Sequence, residues 1–174
     1  DQFNFLLLIM AITGLVVFVA LYFVEAGYGK MISDKWGPAI NNKVAWLIME
    51  CPVFFVMLYL WGMSDRRFEI APLVMFLIFQ SHYFQRSFIF PFLLKGKSKM
   101  PITIMMMGFI FNLINGTIQG YWIFYLSPAD MYTPAWLTTP QFIIGSCIFV
   151  IGFIINLHSD YVIRHLRKPG DTKH

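Results

Sequence analysis

Three stretches free of Asp, Glu, Lys and Arg, residues 2–24, 100–129 and 131–159, limit what this chain can fold into more than any other feature. An α-helix rises about 1.5 Å per residue, so about 20 apolar residues cross the hydrocarbon of a bilayer, and each of these runs exceeds that length. Water is a poor solvent for such a surface: 58% of the 174 residues are hydrophobic and 13% are charged, against roughly 25% charged in soluble domains. Two further runs are long enough to span but carry an internal charge. Residues 44–63 hold Glu50, and residues 70–94 hold His82 and Arg86. The expected fold is all-α, a polytopic transmembrane helical bundle with five helices at about 4–25, 44–63, 70–94, 101–126 and 136–160, in a single membrane domain over 1–174. No internal repeat and no soluble domain is visible.

The first run has neither a basic start nor a small-residue cleavage site, so it reads as a helix and not as a secretory signal. Cys51 and Cys147 fall inside predicted spans without metal-ligand spacing and read as small buried hydrophobes, so no metal is expected. The formal charge of +4 sits in the loops. It suits the lipid bilayer's anionic face or an anionic cofactor before it suits nucleic acid, and no obligate protein partner is evident.

Loop charge also sets orientation. Lys30, Lys35 and Lys43, the KGKSK segment at 95–99, and Arg164, Arg167, Lys168 and Lys173 fall on one side of a five-span chain, while the other side has Arg66 and Arg67. Cytoplasmic loops carry the excess of Lys and Arg. The C-terminal tail is therefore expected in the cytoplasm, with a bacterial inner membrane and the endoplasmic reticulum both compatible.

In that orientation the intramembrane polar groups converge toward the cytoplasmic side. Glu50 lies about six residues into the second helix, about 9 Å deep. Tyr83 and Arg86 sit one turn apart in the third helix. Gly108, Asn112, Asn115 and Gln119 follow i, i+4, i+7 and i+11 on one face of the fourth, and Asn156 and Asp160 share a face of the fifth as it exits, continued by Arg164 and Arg167. A charge inside a span is costly unless it is paired or faces a wet cavity, so each is a candidate functional group. The structural alternatives are specific. Glu50 and Arg86 would form an ion pair between helices, Asn112 and Asn115 would glue helices together, and His82 would be a satisfied packing histidine. The 19 Phe are mostly lipid-facing and core material, and Trp122 and Trp136 stand where interface anchors belong. The sequence has no dinucleotide GxGxxG turn, Walker loop, HExxH or nucleophile elbow. A nucleotide would thus be held by scattered helix-end and loop residues, with the basic loops and residues 160–168 the obvious candidates.

Several of these residues fall in strings that resemble the steroid 5α-reductase family of membrane enzymes. NLHSDYVIRHLRKPGD at 156–171 looks like that family's NxHSDYxxRxLRKPG signature, the most specific of the matches. HYFQRSFIF at 82–90 is similar to its HYFHR stretch, NGTIQGYW at 115–122 to GNGxxQGYY, AGYGK at 26–30 to SGYGK, and WLIMECPVF at 46–54 to WxxQExP. Order and spacing are kept from residue 26 to 171. The resemblance implies a seven-helix bundle that binds NADPH on the cytoplasmic side, beside a flat 3-oxo-Δ4 steroid. Hydride would pass to steroid C5 and a proton would be added at C4. By the same resemblance Glu50 and Tyr83 match the catalytic pair that hydrogen-bonds the C3 carbonyl. Asn156, Asp160 and Arg167 match cofactor-binding positions, and Tyr28, Arg86 and Asn115 are further cofactor candidates.

Met49 stands where the family commonly has Gln beside the catalytic Glu, and Met107 where some members carry Arg. The first change reshapes the expected steroid pocket. Family members also continue past LRKPG with a loop and two further helices, so the sequence is expected to be part of a longer protein. Competing readings are a related membrane reductase acting on a polyprenol or long-chain enoyl lipid, a small transporter, and a scaffold without chemistry. Against a transporter, the polar groups cluster toward one membrane face and no repeat is seen.

Overall fold

The computed structural model describes residues 2–24, 27 and 33–165. In chain order its helices are α1 (Gln2–Ala20), α2 (Asn42–Met63), α3 (Ile70–Phe84), the short α4 (Phe90–Leu93), α5 (Ile102–Tyr121) and α6 (Pro140–His165). A π turn, Gln85–Ile89, makes α3 and α4 one rod, and a second, Trp122–Leu126, prolongs α5. The architecture is nearly all-α. Four segments, Gln2–Ala20, Asn42–Met63, Ile102–Leu126 and Pro140–His165, are each long and apolar enough to cross a membrane.

Two helix limits differ from the sequence expectation. The first helix ends at Ala20, with a hydrogen-bonded turn over 21–24. The last starts at Pro140 and continues through Asp160 to His165. Local chemistry explains that start: the Thr139 hydroxyl accepts the Phe142 N–H at 3.3 Å as an N-cap, and Pro140 fills the first helical position, where its missing donor costs nothing. Trp136 consequently falls in a separate 3-10 turn, Pro134–Thr138.

Proline also accounts for the first π turn. Pro91 would press its ring on the Ser87 carbonyl one turn earlier. The chain widens instead, and the Phe90 N–H donates to the Gln85 carbonyl five residues back. Pro52 raises the same problem inside α2. Around it, neighbouring helices lend side-chain donors to α2 carbonyls. Asn112 Nδ2 donates to the Met49 carbonyl at 2.9 Å, and Gln80 Nε2 to the Phe54 carbonyl at 3.2 Å.

A two-stranded antiparallel clip, β1 (Ala39–Asn41) and β2 (Lys99–Pro101), immediately precedes α2 and α5, with Ala39 opposite Pro101 and Asn41 opposite Lys99. Its flanks close with Asn42 N–H to Ser98 O at 3.1 Å and Ile102 N–H to Pro38 O at 2.9 Å. The two helices therefore start side by side and run parallel. Their seam is tight because α5 presents glycine to it. A Cβ on Gly116 would lie 3.1 Å from the Val53 Cα and carbonyl oxygen, and one on Gly120 would press on Leu60. Small residues at such a seam let two backbones approach in lipid, where packing and not water expulsion holds helices together. At the far end the Ser64 hydroxyl donates to the Phe124 carbonyl at 3.1 Å, and Arg66 Nη1 donates to Ser127 Oγ at 2.8 Å. Trp61 stacks on Phe76 at 4.8 Å above a core of Met57, Ile123 and Phe124. None of α1 is buried, and its Phe3 stacks on Trp122 at 5.8 Å.

Candidate active site

The seam and the proline adjustments fix where Glu50 goes. It is buried in α2, facing α5, and Asn112 Nδ2 donates to its Oε2 at 3.2 Å while also holding the Met49 carbonyl. Its other oxygen, Oε1, stands 3.9 Å from Arg86 Nη2, close enough for charge attraction but beyond hydrogen-bond reach.

Arg86 belongs to the π turn between α3 and α4. Its Nη1 donates to Asp160 Oδ2 at 3.0 Å. The Trp46 and Phe90 rings meet edge to face, 5.0 Å apart at 76°, and the guanidinium carbon lies 4.6 Å from the first centroid and 4.4 Å from the second. A cation held against two ring faces is attracted to both, more strongly as water is excluded. The side chains of Arg86, Glu50 and Asp160 are only 13%, 11% and 15% exposed, so one largely shielded cation stands between two acidic side chains.

Tyr83, one turn before Arg86, points elsewhere. It lines a cleft of about 440 Å³ among α3, α5 and α6, together with Phe79, His82, Asn115, Gln119, Phe149, Phe153 and Asn156. Asn115 Nδ2 donates to the Tyr83 phenol oxygen at 3.0 Å. With its oxygen serving as acceptor there, the phenol keeps its own proton for another acceptor. Aromatic groups form the walls: Phe149 and Phe153 are parallel at 5.9 Å, and His82 meets Phe153 edge to face at 5.6 Å. Asn156 Oδ1 is a buried acceptor without a partner among the described residues.

The expected stripe on the fourth helix thus divides. Asn112 turns to α2 and Glu50, whereas Asn115 and Gln119 turn to the cleft with Asn156. Glu50 is not among the side chains that line that cleft and lies beside it in the α2–α5 seam. Arg86 and Asp160, both expected at the cofactor, are bonded to each other. Tyr28 and Arg167 lie outside the described residues. The sequence reading missed the ring corner of Trp46 and Phe90 and the double role of Asn112. A signal for the second was present in the four-residue step from Gly108 to Asn112, which puts the amide on the small-residue face of α5. Among the described residues, no group of three or more His, Cys, Asp or Glu is placed to hold a metal ion.

The geometry is that of a helical bundle with four helices able to cross a membrane, in which Glu50, Arg86 and Asp160 meet at a polar site next to an aromatic cleft. The family model described as 3-oxo-5-alpha-steroid 4-dehydrogenase matches residues 98–174. Over 166 residues the chain is 38% identical to 3-oxo-5-alpha-steroid 4-dehydrogenase 1 of Bos taurus, covering 91% of this chain and 62% of that protein. It is 34% identical over 174 residues to steroid 5-alpha-reductase DET2 of Arabidopsis thaliana, covering 97% and 66% respectively. The corresponding values for 3-oxo-5-alpha-steroid 4-dehydrogenase 1 of Rattus norvegicus are 32% over 178 residues, 99% and 67%. The chain belongs to the steroid 5α-reductase family. It spans between 55% and 67% of the length of the curated relatives it matches.

Proposed function

We propose that the protein reduces the C4–C5 double bond of a 3-oxo-Δ4 steroid at the expense of NADPH, from the cytoplasmic side of its membrane. The observation that carries this reading is Tyr83, a phenol whose oxygen is already engaged by Asn115 and whose proton is left for an acceptor in an apolar cleft. An enone that receives a hydride at C5 builds negative charge on its C3 oxygen. A donor already aimed at that oxygen, in a site with little water, lowers the barrier because it need not reorganise when the charge appears. Asn115 adds to this by stabilising the Tyr83 oxygen as its proton is drawn toward substrate. Glu50 in its acid form is the second donor to the C3 oxygen. Its Oε1 has no hydrogen bond to Arg86 and could turn toward the ligand, while Asn112 holds Oε2.

The residues present suit the cofactor. Asn156 offers an unpartnered acceptor to a carboxamide N–H in a cleft walled by Phe149 and Phe153, as a flat nicotinamide requires. NADPH, when bound there, supplies the hydride that C5 receives. Asp160, with Arg167 and Tyr28 by the family resemblance, would hold the rest of the nucleotide, and cationic side chains on the basic side would meet phosphate. The clip of β1 and β2 gathers Lys43, Lys97 and Lys99 at the starts of α2 and α5, and the excess of Lys and Arg on that side supports its assignment to the cytoplasm.

The test is a substrate panel with NADPH and the protein in lipid nanodiscs. Loss of ultraviolet enone absorbance with a 4-ene-3-one steroid, and none with a long-chain enoyl thioester or a polyprenol, is the expected result. Turnover of either lipid in place of the steroid would reassign the substrate. Solute flux in liposomes without any nicotinamide nucleotide would reassign the class. Glu50→Gln should abolish steroid turnover while leaving NADPH binding intact.

A further inference from the structure

A groove of about 430 Å³ runs between α1 and α5, where Met107, Gly108, Phe111 and Ile114 form the α5 wall. It shares Val17 and Met107 with a recess of about 280 Å³ nearer the start of α5, where Ile104 and Trp36 join the lining. Apart from the Thr13 hydroxyl and the Trp36 indole, every lining side chain is hydrocarbon or thioether. We propose that this groove receives a hydrocarbon side chain at steroid C17, so that the substrate is a sterol-type 4-ene-3-one and not a steroid with a 17-hydroxyl or 17-keto group, and that Met49 and Met107 set this preference. This names the substrate class within the function proposed above and rests on it.

Continuity with the site carries the argument. On α5, Asn112 and Asn115 hold Glu50 and Tyr83, the two groups assigned to the C3 oxygen. One turn nearer the start of the helix stand Gly108 and Phe111, and both line the groove. At Gly108 the wall between the two spaces is the Met49 side chain: a Cβ on that glycine would press on the Met49 Sδ and Cγ. Met49 directly precedes Glu50, and its carbonyl accepts from the same Asn112. A flat ligand whose oxygen is held by these donors has the groove open to its far end, and the α5 lining from Ile114 down to Ile104 extends about 15 Å. Met49 and Met107 stand where the family pattern has Gln and, in some members, Arg. An amide or guanidinium would offer a polar substituent a hydrogen bond, whereas a thioether is a weak acceptor and no donor. A steroid partitions into the bilayer before it binds, so a hydrocarbon chain gains little by entering the groove. Discrimination falls instead on the polar substituent, which must be buried there without a partner.

The experiment measures kcat/KM with NADPH in nanodiscs for 4-cholesten-3-one and for a 17-hydroxy 4-ene-3-one steroid, each at known mole fraction in the lipid. The sterol is expected to be favoured at least about tenfold, the equivalent of about 1.4 kcal/mol. Met49→Gln and Met107→Gln should each cut that ratio at least about threefold. Methionines with a merely structural role would slow both substrates alike and leave the ratio unchanged, which would overturn their assignment. If Met49→Gln does not fold, Met107→Gln decides, since Met107 is exposed at the edge of the bundle. In the unmutated protein, a 4-ene-3-one carrying a diazirine at the end of its side chain should label the α1 and α5 peptides that contain Val17 and Met107. Label confined to Phe149 and Phe153 of the other cleft would overturn the proposal. Equal or faster turnover of the 17-hydroxy steroid would overturn it too, and would leave the function proposed above standing. Turnover of neither steroid with NADPH would refute that function, and the preference with it.

Discussion

Replacing Tyr83 by Phe deletes one oxygen and keeps the ring, so its consequences can be worked out atom by atom. The deleted hydroxyl is the donor proposed for the C3 oxygen. Removing one preorganised donor from a site of this kind lowers kcat by about 10²- to 10³-fold, or about 2.7–4 kcal/mol. The same deletion strands the Asn115 Nδ2 group, which now donates at 3.0 Å. A stranded buried donor costs about 1–3 kcal/mol, so a stability loss in that range is expected. Asn115→Ala should lower kcat about tenfold, the worth of roughly 1.4 kcal/mol from a hydrogen bond that strengthens as charge develops on its acceptor. Since Asn115 acts through Tyr83, the double variant should be no slower than Tyr83→Phe alone. Single-turnover enone absorbance in nanodiscs, with kcat and KM resolved, reads all three variants, and KM for steroid should move by less than about threefold. Turnover by Tyr83→Phe within about threefold of normal would refute the donor role. Strictly multiplicative losses would show instead that Asn115 acts independently of Tyr83.

Other expectations follow from the seam and the tail. Gly116→Ala places a methyl 3.1 Å from Val53 backbone, which cannot give way as a side chain would. It should cost about 1–3 kcal/mol in SDS-titration unfolding, whereas Gly62→Ala, with nothing within 4 Å, should cost nothing measurable. Asn112→Ala removes two interhelical hydrogen bonds, to the Met49 carbonyl and Glu50. At about 0.6 kcal/mol each in membrane bundles, it should lower stability by about 1 kcal/mol and raise KM for steroid more than KM for NADPH. Arg167→Ala should raise KM for NADPH well beyond any change for steroid, measured in the same assay, because its charge is assigned to phosphate.

The spans were legible because a bilayer imposes a length on each apolar run, and 20-odd residues without charge leave few alternatives. The inward polar residues were legible too, since Glu50 and Arg86 are conspicuous where every neighbour is apolar. Their partners were not. Arg86 and Asp160 are 74 residues apart, and hydropathy carries no information about which buried cation meets which carboxylate. Periodicity put Asn112 and Asn115 on one face, yet the three-residue step between them turns them about 60° apart on a helix, enough for one to serve α2 and the other the cleft. The clip of β1 and β2 escaped because each strand is three residues long and lies in a segment rich in Gly, Lys and Pro. Such strands exist only because the distant partner is present.

The parallel pairing of α2 with α5 has a consequence for biogenesis. Ribosomes deliver α2 to the bilayer well before α5 exists, so during that interval the Glu50 carboxylate lacks Asn112 and the Val53 backbone lacks its glycine-lined neighbour. A nascent chain in that condition offers quality-control proteases an unsatisfied acid within lipid. Substitutions along the Gly116 edge should therefore show first as poor accumulation in cells, with the surviving fraction still competent. Variants at Tyr83, which α2 does not need for docking, should accumulate better than those at Gly116 and fail chiefly when assayed.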